Sequence, residues 1–160
     1  MRNWLSDPGS LTRRLQGLCG NAFRVRVLDQ QWVRPRADEA RLLNIAPGRV
    51  ALLRQVQLLC GSDVLVYARS IIPLDSLQGR HRRLKCLGDR PLGAYLFANP
   101  SLERKALQLA TISPEDPLYA IATSSADNGQ EPIWGRRSLF TLDGRSLLVS
   151  EYFLPALLDH

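Results

Sequence analysis

Several segments of the chain alternate hydrophobic and polar residues or are continuously aliphatic, as strands of a sheet are. Alternation over residues 22–33 predicts a strand whose arginines face outward. The aliphatic segments 49–59 and 64–72 are separated by a short Gly-containing connection, which predicts a hairpin. Residues 134–142 and 146–154 flank an Asp-Gly pair and predict a second hairpin.

Other segments have the spacing and end signals of helices. Ser10 followed by an amphipathic stretch predicts an N-capped helix that ends near Gly20. Residues 38–45 predict a short helix before a Pro-Gly turn, and residues 75–87 are predicted to be helical. A further short helix is predicted over residues 91–98, with a proline as its first residue.

The remaining segments are less regular. Residues 102–112 fit a helix or a strand equally well. Prolines and polar turn residues predict a long loop over residues 113–132, with a short strand near residues 119–121. Hairpins dominate and no repeated βαβ pattern occurs, so we expect an α+β fold in which residues 1–160 form a single domain. The expected architecture is one antiparallel sheet with helices on one face.

Composition and charge narrow the functional classes. A chain of 160 residues with 45% hydrophobic content can bury one sizeable core. The net charge of +6 favours an anionic partner, but the dense basic run over residues 80–85 comes with no nucleic-acid-binding motif, so nucleic acid is not the expected partner. No apolar stretch is long enough for a membrane span and no signal peptide is recognisable, so we expect a cytoplasmic monomer.

The cysteines and histidines do not form a recognisable reactive or metal-binding pattern. Cys19, Cys60 and Cys86 are widely spaced, which predicts small buried or free thiols rather than a disulfide framework or a zinc site. With only His81 and His160 besides, histidine-based hydrolysis is hard to build, and no metal or cofactor is expected. The chemistry must then rest on carboxylates, arginines and backbone groups.

Two charged residues occupy strand positions whose neighbours in alternation are aliphatic. Arg54 shares a face with Leu52 and Val56, and Glu151 shares a face with Val149 and Phe153. Burying an unpaired ion is costly, so these charges either pair with each other, lie on a face that is in fact exposed, or face a polar ligand site. The third possibility is a pocket with one cation for a carboxylate and one acceptor for a hydroxyl.

Three further features are candidates for the same site. Arg69 shares a face with aliphatic residues and is a possible third cation, although the pattern favours an exposed strand face for it. Arg136 and Arg137 are adjacent, so at most one of them faces inward. Gly93 in a Pro-Leu-Gly sequence could let backbone amides approach an anion, or could belong to an ordinary turn.

Short blocks spread over most of the chain resemble those of the chorismate pyruvate-lyases. In chain order they are Leu53-Arg54, Leu58-Leu59-Cys60, Ala68-Arg69-Ser70-Ile71-Ile72-Pro73, Leu87-Gly88, Pro91-Leu92-Gly93-Ala94-Tyr95-Leu96-Phe97, Trp134-Gly135-Arg136-Arg137-Ser138 and Glu151-Tyr152-Phe153-Leu154-Pro155. The last two are the most specific, and the blocks are specific jointly rather than singly.

This resemblance implies a sheet of about six strands with helical flaps over a buried pocket. It also implies conversion of chorismate to 4-hydroxybenzoate and pyruvate, a first step toward ubiquinone-type quinones, without a cofactor. Arg54 would bind the ring carboxylate and Glu151 would meet the 4-hydroxyl group, as base or as polarising group. Backbone amides of Leu11 and Leu92 would add donors, with Arg69 as a further substrate-binding residue.

The sequence departs from the family pattern at two places, and one alternative function remains open. Leu11 stands where well-known members carry methionine, and the loop over residues 113–132 is longer than in compact members. The rival is a non-catalytic effector-binding (UTRA) domain of GntR-type regulators, whose fold is similar. Such domains follow a winged helix-turn-helix, for which the roughly twenty residues before the first strand are too few.

Overall fold

The computed structural model describes residues 1–124 and 129–160 and contains six strands and five α-helices. The strands are β1 (Phe23–Val33), β2 (Ala51–Cys60), β3 (Asp63–Pro73), β4 (Glu103–Ile112), β5 (Ile133–Leu142) and β6 (Arg145–Phe153). The helices are α1 (Arg2–Leu5), α2 (Leu11–Cys19), α3 (Ala37–Leu43), α4 (Leu92–Phe97) and α5 (Pro117–Thr123). Short 3₁₀ helices cover Gly20–Ala22, Leu74–Ser76, Gly79–Cys86 and Pro155–Asp159.

All six strands form one antiparallel sheet in the order β1-β2-β3-β6-β5-β4, which confirms the predicted sheet. Both predicted hairpins are present, and the second turns at Asp143 and Gly144, whose positive φ angles suit a two-residue turn. The segment that fitted a helix or a strand equally well is the edge strand β4, because it pairs with β5 along its length.

One face of the sheet, called here the pocket face, carries Arg54, Ala68 and Glu151 on neighbouring strands. Apolar side chains of α1 and α2 pack on it at one end, together with Leu157 of the C-terminal 3₁₀ turn. The 3₁₀ segment Gly79–Cys86 and α4 pack on it at the other end. The pocket face is therefore covered by two separate groups of helices.

The prediction that all helices gather on one face needs a correction. Leu43 of α3 packs against Leu53 and Ile71 on the opposite face. Tyr119 of α5 packs there against Tyr67. The central strands are thus buried on both sides, as the nearly continuous apolar sequence of β2 and β3 requires.

The predicted helical segment 75–87 is helical, as the two 3₁₀ helices Leu74–Ser76 and Gly79–Cys86. Another local prediction was wrong in type. The short strand predicted near residues 119–121 is helix α5, which begins with Asp116 as its cap and Pro117 at its first turn; the Asp116 carboxylate accepts from the Leu118 amide at 2.8 Å. Part of the predicted loop, residues 125–128, lies outside the described residues.

The cysteine prediction was also wrong, because Cys19 and Cys60 form a disulfide with their Cα atoms 5.5 Å apart. The pair joins the C-terminal end of α2 to the end of β2, two positions 41 residues apart that only the tertiary fold brings together. Cys86 is free and exposed.

Within the described residues, no helix combines the length and the apolar character needed to cross a membrane.

Candidate active site

A cavity lies between the pocket face and the N-terminal ends of α2 and α4. Its empty volume, which includes some open solvent, is about 580 Å³. The wall is largely apolar, with Val56, Leu58, Ala68 and Val149 from the sheet and Phe140 near one end. The charged side chains that line it are Arg54, Arg104, Arg136 and Glu151.

Arg54 is fixed at one end of the cavity and is only 2% exposed. Its Nη2 donates to the carbonyl oxygens of Gly88 and Arg90 at 2.8 and 3.0 Å, and its Nη1 donates to Gln30 Oε1 at 3.3 Å. Burial lowers the pKa of the Arg54 guanidinium and the nearby Asp89 carboxylate partly offsets this effect. The side chain stays cationic, since the guanidinium remains protonated in proteins, and its neutral partners leave its charge available to an anionic ligand.

Glu151 is held from the other side of the cavity by Arg136. The Arg136 Nε donates to Glu151 Oε2 at 2.5 Å, and its Nη1 donates to the carbonyl oxygens of Trp4 and Asp7, each at 3.0 Å. Arg136 is only 2% exposed and its side chain lies over the Phe153 ring. The carboxylate is thus fixed through one oxygen by a buried cation while its side chain still lines the cavity.

The possibility that Arg54 and Glu151 pair with each other is not realised. Arg54 on β2 and Glu151 on β6 are separated by β3, so two strand spacings of about 4.8 Å each lie between them. Each has its own, different set of partners. The two predicted inward charges therefore stand on the same cavity at a distance that leaves room for a ring between them.

The N-terminal ends of α2 and α4 close the cavity. Leu11 and Leu92 are the first residues of these helices and both line it. The two helix ends are in close contact. A Cβ atom added at Gly93 of α4 would lie only 2.5 Å from Thr12 Oγ1 of α2. Gly93 is thus required for this close approach rather than for a turn.

Arg104 on the edge strand β4 is the fourth charged residue of the cavity. It lies opposite Phe140 in the β4–β5 register, and its guanidinium carbon is 4.9 Å from the centre of the Phe140 ring. Its Nη1 donates to the carbonyl oxygens of Pro8 and Asp7 at 3.1 and 3.4 Å. Burial lowers the pKa of Arg104, and repulsion by the Arg136 cation lowers it further.

Arg69 is the predicted site residue that the structure places elsewhere. It follows Ala68 on β3 and so points to the opposite face of the sheet, where its Nε and Nη2 donate to Glu39 at 3.1 and 3.0 Å. Glu39 is only 1% exposed, and Arg69 holds the pKa of that carboxyl below its ordinary value. The prediction that Arg69 binds the substrate therefore needs a correction, because Arg69 forms an ion pair with Glu39 of α3 instead.

Sequence reasoning missed Arg104 and left Arg136 undecided. A β-bulge between Arg104 and Ala106 breaks the alternation of β4, so counting by twos gives the wrong face for Arg104. For Arg136 a signal existed, since it shares parity with the apolar Phe140 and Leu142 of its strand, while Arg137 does not.

Three arginines and one glutamate give the cavity lining a net charge of +2. Such a site favours a small dianion with a carboxylate at each of two positions and an apolar ring between them. Glu151, the one carboxylate that the described residues contribute to the lining, is a candidate acceptor for a hydroxyl group.

Comparison with known proteins agrees with this chemistry. The chain matches the model of the chorismate lyase family over residues 1–160. It is 46% identical to a probable chorismate pyruvate-lyase of Methylococcus capsulatus, an alignment that covers 99% of this chain and 97% of the relative. It is 45% identical to a probable chorismate pyruvate-lyase of Aromatoleum aromaticum, over 99% of this chain and 86% of the relative. The chain belongs to the chorismate lyase family.

Solved structures similar to this chorismate lyase family member include regulatory proteins. A GntR-family transcriptional regulator from Bacillus cereus superposes with a TM-score of 0.64 at 14% identity, covering 85% of this chain and 94% of that one. The effector domain of PhnF from Mycobacterium smegmatis gives a TM-score of 0.63 at 14% identity, covering 92% and 90%. At this level of identity the likeness concerns the fold alone.

Proposed function

We propose that the cavity between Arg54 and Glu151 is the active site of a chorismate pyruvate-lyase that converts chorismate to 4-hydroxybenzoate and pyruvate. The observation that carries this proposal is a pair of charges, the buried Arg54 and the partly buried Glu151, each with its own hydrogen-bond partner, on one largely apolar cavity in a member of the chorismate lyase family. Chorismate is a dianion, and its charge balances the net charge of the lining.

The reaction makes modest demands on the protein. The bond between C3 and the enolpyruvyl oxygen breaks, the proton leaves C4, and the enolpyruvyl methylene carbon gains a proton to give pyruvate. Aromatisation of the ring supplies much of the driving force. The protein must bind the substrate, orient it, exclude water and stabilise the redistributed charge.

Each proposed role follows from a contact. Arg54 binds the ring carboxylate, because its partners are neutral carbonyl and amide oxygens and its guanidinium charge has no carboxylate bonded to it among the described residues. Glu151 accepts a hydrogen bond from the 4-hydroxyl group, with Arg136 as the positioning residue that fixes its orientation. The amides of Leu11 and Leu92 donate to bound oxygens, a role supported by the position of both residues at helix starts in the cavity lining.

Further parts of the proposal rest on the family resemblance and on the sequence patterns rather than on the cavity. They are that turnover needs no cofactor, that the enzyme is a cytoplasmic monomer, and that its 4-hydroxybenzoate feeds the synthesis of ubiquinone-type quinones.

The test is an assay of purified protein with chorismate, in which pyruvate is measured with a coupled dehydrogenase and 4-hydroxybenzoate by chromatography. We expect equal amounts of both products and rates unchanged by EDTA. Binding of chorismate without release of pyruvate would contradict the proposed catalytic activity and favour a ligand-binding protein. Loss of activity in EDTA would contradict a reaction that needs no cofactor.

A further inference from the structure

Arg104 has donor groups that the protein does not use. Its Nη1 is bonded to the Pro8 and Asp7 carbonyls, but its Nε is buried and has no hydrogen-bond partner within residues 1–124 and 129–160. The same described part of the chain provides no hydrogen bond for its Nη2. The Nε–Nη2 edge of a guanidinium is one of the two edges that bind a carboxylate through paired hydrogen bonds.

A buried donor without an acceptor is unfavourable, and more so when it belongs to a charged group. The three other charged residues of the cavity show the contrast. The Arg136 Nε donates to Glu151, and the Arg54 Nη2 donates to two carbonyl oxygens. Neither arginine has a buried nitrogen without an acceptor among the described residues. Among the charged lining residues, Arg104 is therefore the one whose Nε and Nη2 donors are available to an acceptor on a ligand.

The position of Arg104 fits the second carboxylate of chorismate. Arg104 and Arg136 both donate to the Asp7 carbonyl oxygen, so the two guanidinium groups lie side by side, and Arg136 is bonded to Glu151. Arg104 is thus on the Glu151 side of the cavity. In chorismate the enolpyruvyl ether at C3 is adjacent to the hydroxyl at C4, so the group that carries the second carboxylate lies on the same side when the hydroxyl faces Glu151.

We propose that Arg104 binds the enolpyruvyl carboxylate of chorismate through its Nε–Nη2 edge and is a specificity-determining residue of the site. The inference rests on the proposed function and adds to it an assignment for each of the two carboxylates. It also predicts that the substrate and the aromatic product are held differently, since 4-hydroxybenzoate lacks the group that Arg104 binds.

Two unreactive ligands isolate this contact. One is 4-hydroxy-3-methoxybenzoate, and the other is 3-carboxymethoxy-4-hydroxybenzoate, which adds a carboxylate where chorismate carries its own. Calorimetric titration of the parent protein should show tighter binding of the diacid. In Arg104→Gln that preference should fall by about tenfold or more, the scale of one charge-assisted hydrogen bond, while the Kd of the methoxy ligand stays within about twofold. Arg104→Lys should keep part of the preference, because it retains the charge without the fork.

The matched control is Arg14→Gln. Arg14 pairs with Asp7 and lies over Trp4, so it holds the same N-terminal segment as Arg104 without lining the cavity. In this variant the diacid preference should be unchanged. Equal weakening of both ligands by Arg104→Gln would show that Arg104 only anchors the segment, and an unchanged preference would show that it does not meet the carboxylate. Either result overturns the inference.

These titrations involve no turnover, so they separate the two proposals. A parent protein that prefers the diacid but releases no pyruvate from chorismate would contradict the proposed function and leave the Arg104 contact in place. A parent protein that releases pyruvate but loses no preference in Arg104→Gln would contradict the inference alone. A parent protein that binds neither ligand and releases no pyruvate from chorismate would overturn both.

Discussion

At the scale of single residues, the site depends on how each buried charge is supported. Arg54 has neutral partners that fix its position and leave its charge uncompensated, whereas Glu151 is compensated by Arg136. The first arrangement suits a binding cation and the second suits an acceptor held in a fixed orientation.

This difference predicts that Arg54 and Glu151 fail differently when altered. Arg54→Gln removes a buried cation from a carboxylate and should weaken 4-hydroxybenzoate binding by about 2–5 kcal/mol. Glu151→Gln keeps the shape and one acceptor oxygen, so kcat should fall more than the affinity for 4-hydroxybenzoate. Calorimetry and steady-state kinetics on both variants, with exposed Arg24→Gln as control, measure the two effects.

Thermal melts on the same variants test the alternative. Both residues also contribute to structure, because Arg54 bonds the Gly88 and Arg90 carbonyls and Glu151 neutralises Arg136, so a moderate loss of stability is expected. If the variants melt far below the parent while their folded fraction binds and turns over normally, the residues are structural and the site assignment fails.

Strand alternation predicted the faces of Arg54 and Glu151 because both lie in regular, paired stretches of central strands. It could not predict Arg104, since a bulge shifts the register there, and it placed no constraint on Glu39, the helix residue that pairs with Arg69 on the opposite face. Partners contributed by distant segments, such as the Trp4 and Asp7 carbonyls that receive Arg136, depend on tertiary packing.

At the scale of elements, α2 and α4 form the wall opposite the sheet, and each is fastened by a contact remote from the cavity. The Cys19–Cys60 disulfide fastens the far end of α2. His81, only 4% exposed, links Tyr95 of α4 at 2.8 Å to Asp143 of the β5–β6 turn at 2.7 Å. The helices were predictable from their end signals. The disulfide and the His81 hydrogen bonds were not, because each joins segments that are far apart in sequence.

The disulfide predicts a stability effect without a catalytic one. Replacing Cys19 and Cys60 by serine should lower the free energy of unfolding by up to about 4 kcal/mol, the chain-entropy value for a loop of this length. The values of kcat and KM should change little, because the bond lies at the opposite end of α2 from Leu11. Denaturant melts and kinetics, with exposed Cys86→Ser as control, check this. Loss of all activity in a folded double variant would contradict it.

The turn contact predicts a pH-dependent effect. Hydrogen bonds from Arg80, His81 and Ser101 lower the pKa of Asp143 from 3.8 to about 2. Since the folded-state pKa is depressed, the contribution of Asp143 to stability is complete above about pH 4 and is lost as the pH falls toward 2.

Asp143→Asn tests this, because asparagine also tolerates the positive φ of 49° at this position. The variant should melt below the parent at pH 5, and the two melting temperatures should converge as the pH approaches 2. A difference that stays constant between pH 5 and pH 2 would show that ionisation of Asp143 does not stabilise the fold.

At the scale of the whole molecule, the sheet separates two tasks. Its pocket face carries the cavity with its net positive lining, while the opposite face holds a purely structural network in which Arg69 and Glu39 join β3 to α3. The sequence allowed the sheet and its hairpins to be predicted. The division of helices between both faces was not predicted, because it depends on where the connections after β1 and β4 pack.

The most direct measurement of the central claim is a crystal structure of the protein with 4-hydroxybenzoate. The account predicts one ligand in the cavity between the sheet and the N-terminal ends of α2 and α4, with its carboxylate within hydrogen-bond distance of Arg54 and its hydroxyl group against Glu151. A ligand bound outside this cavity, or bound in it with the carboxylate at Arg104 and Arg136 and the hydroxyl at Arg54, would contradict the account.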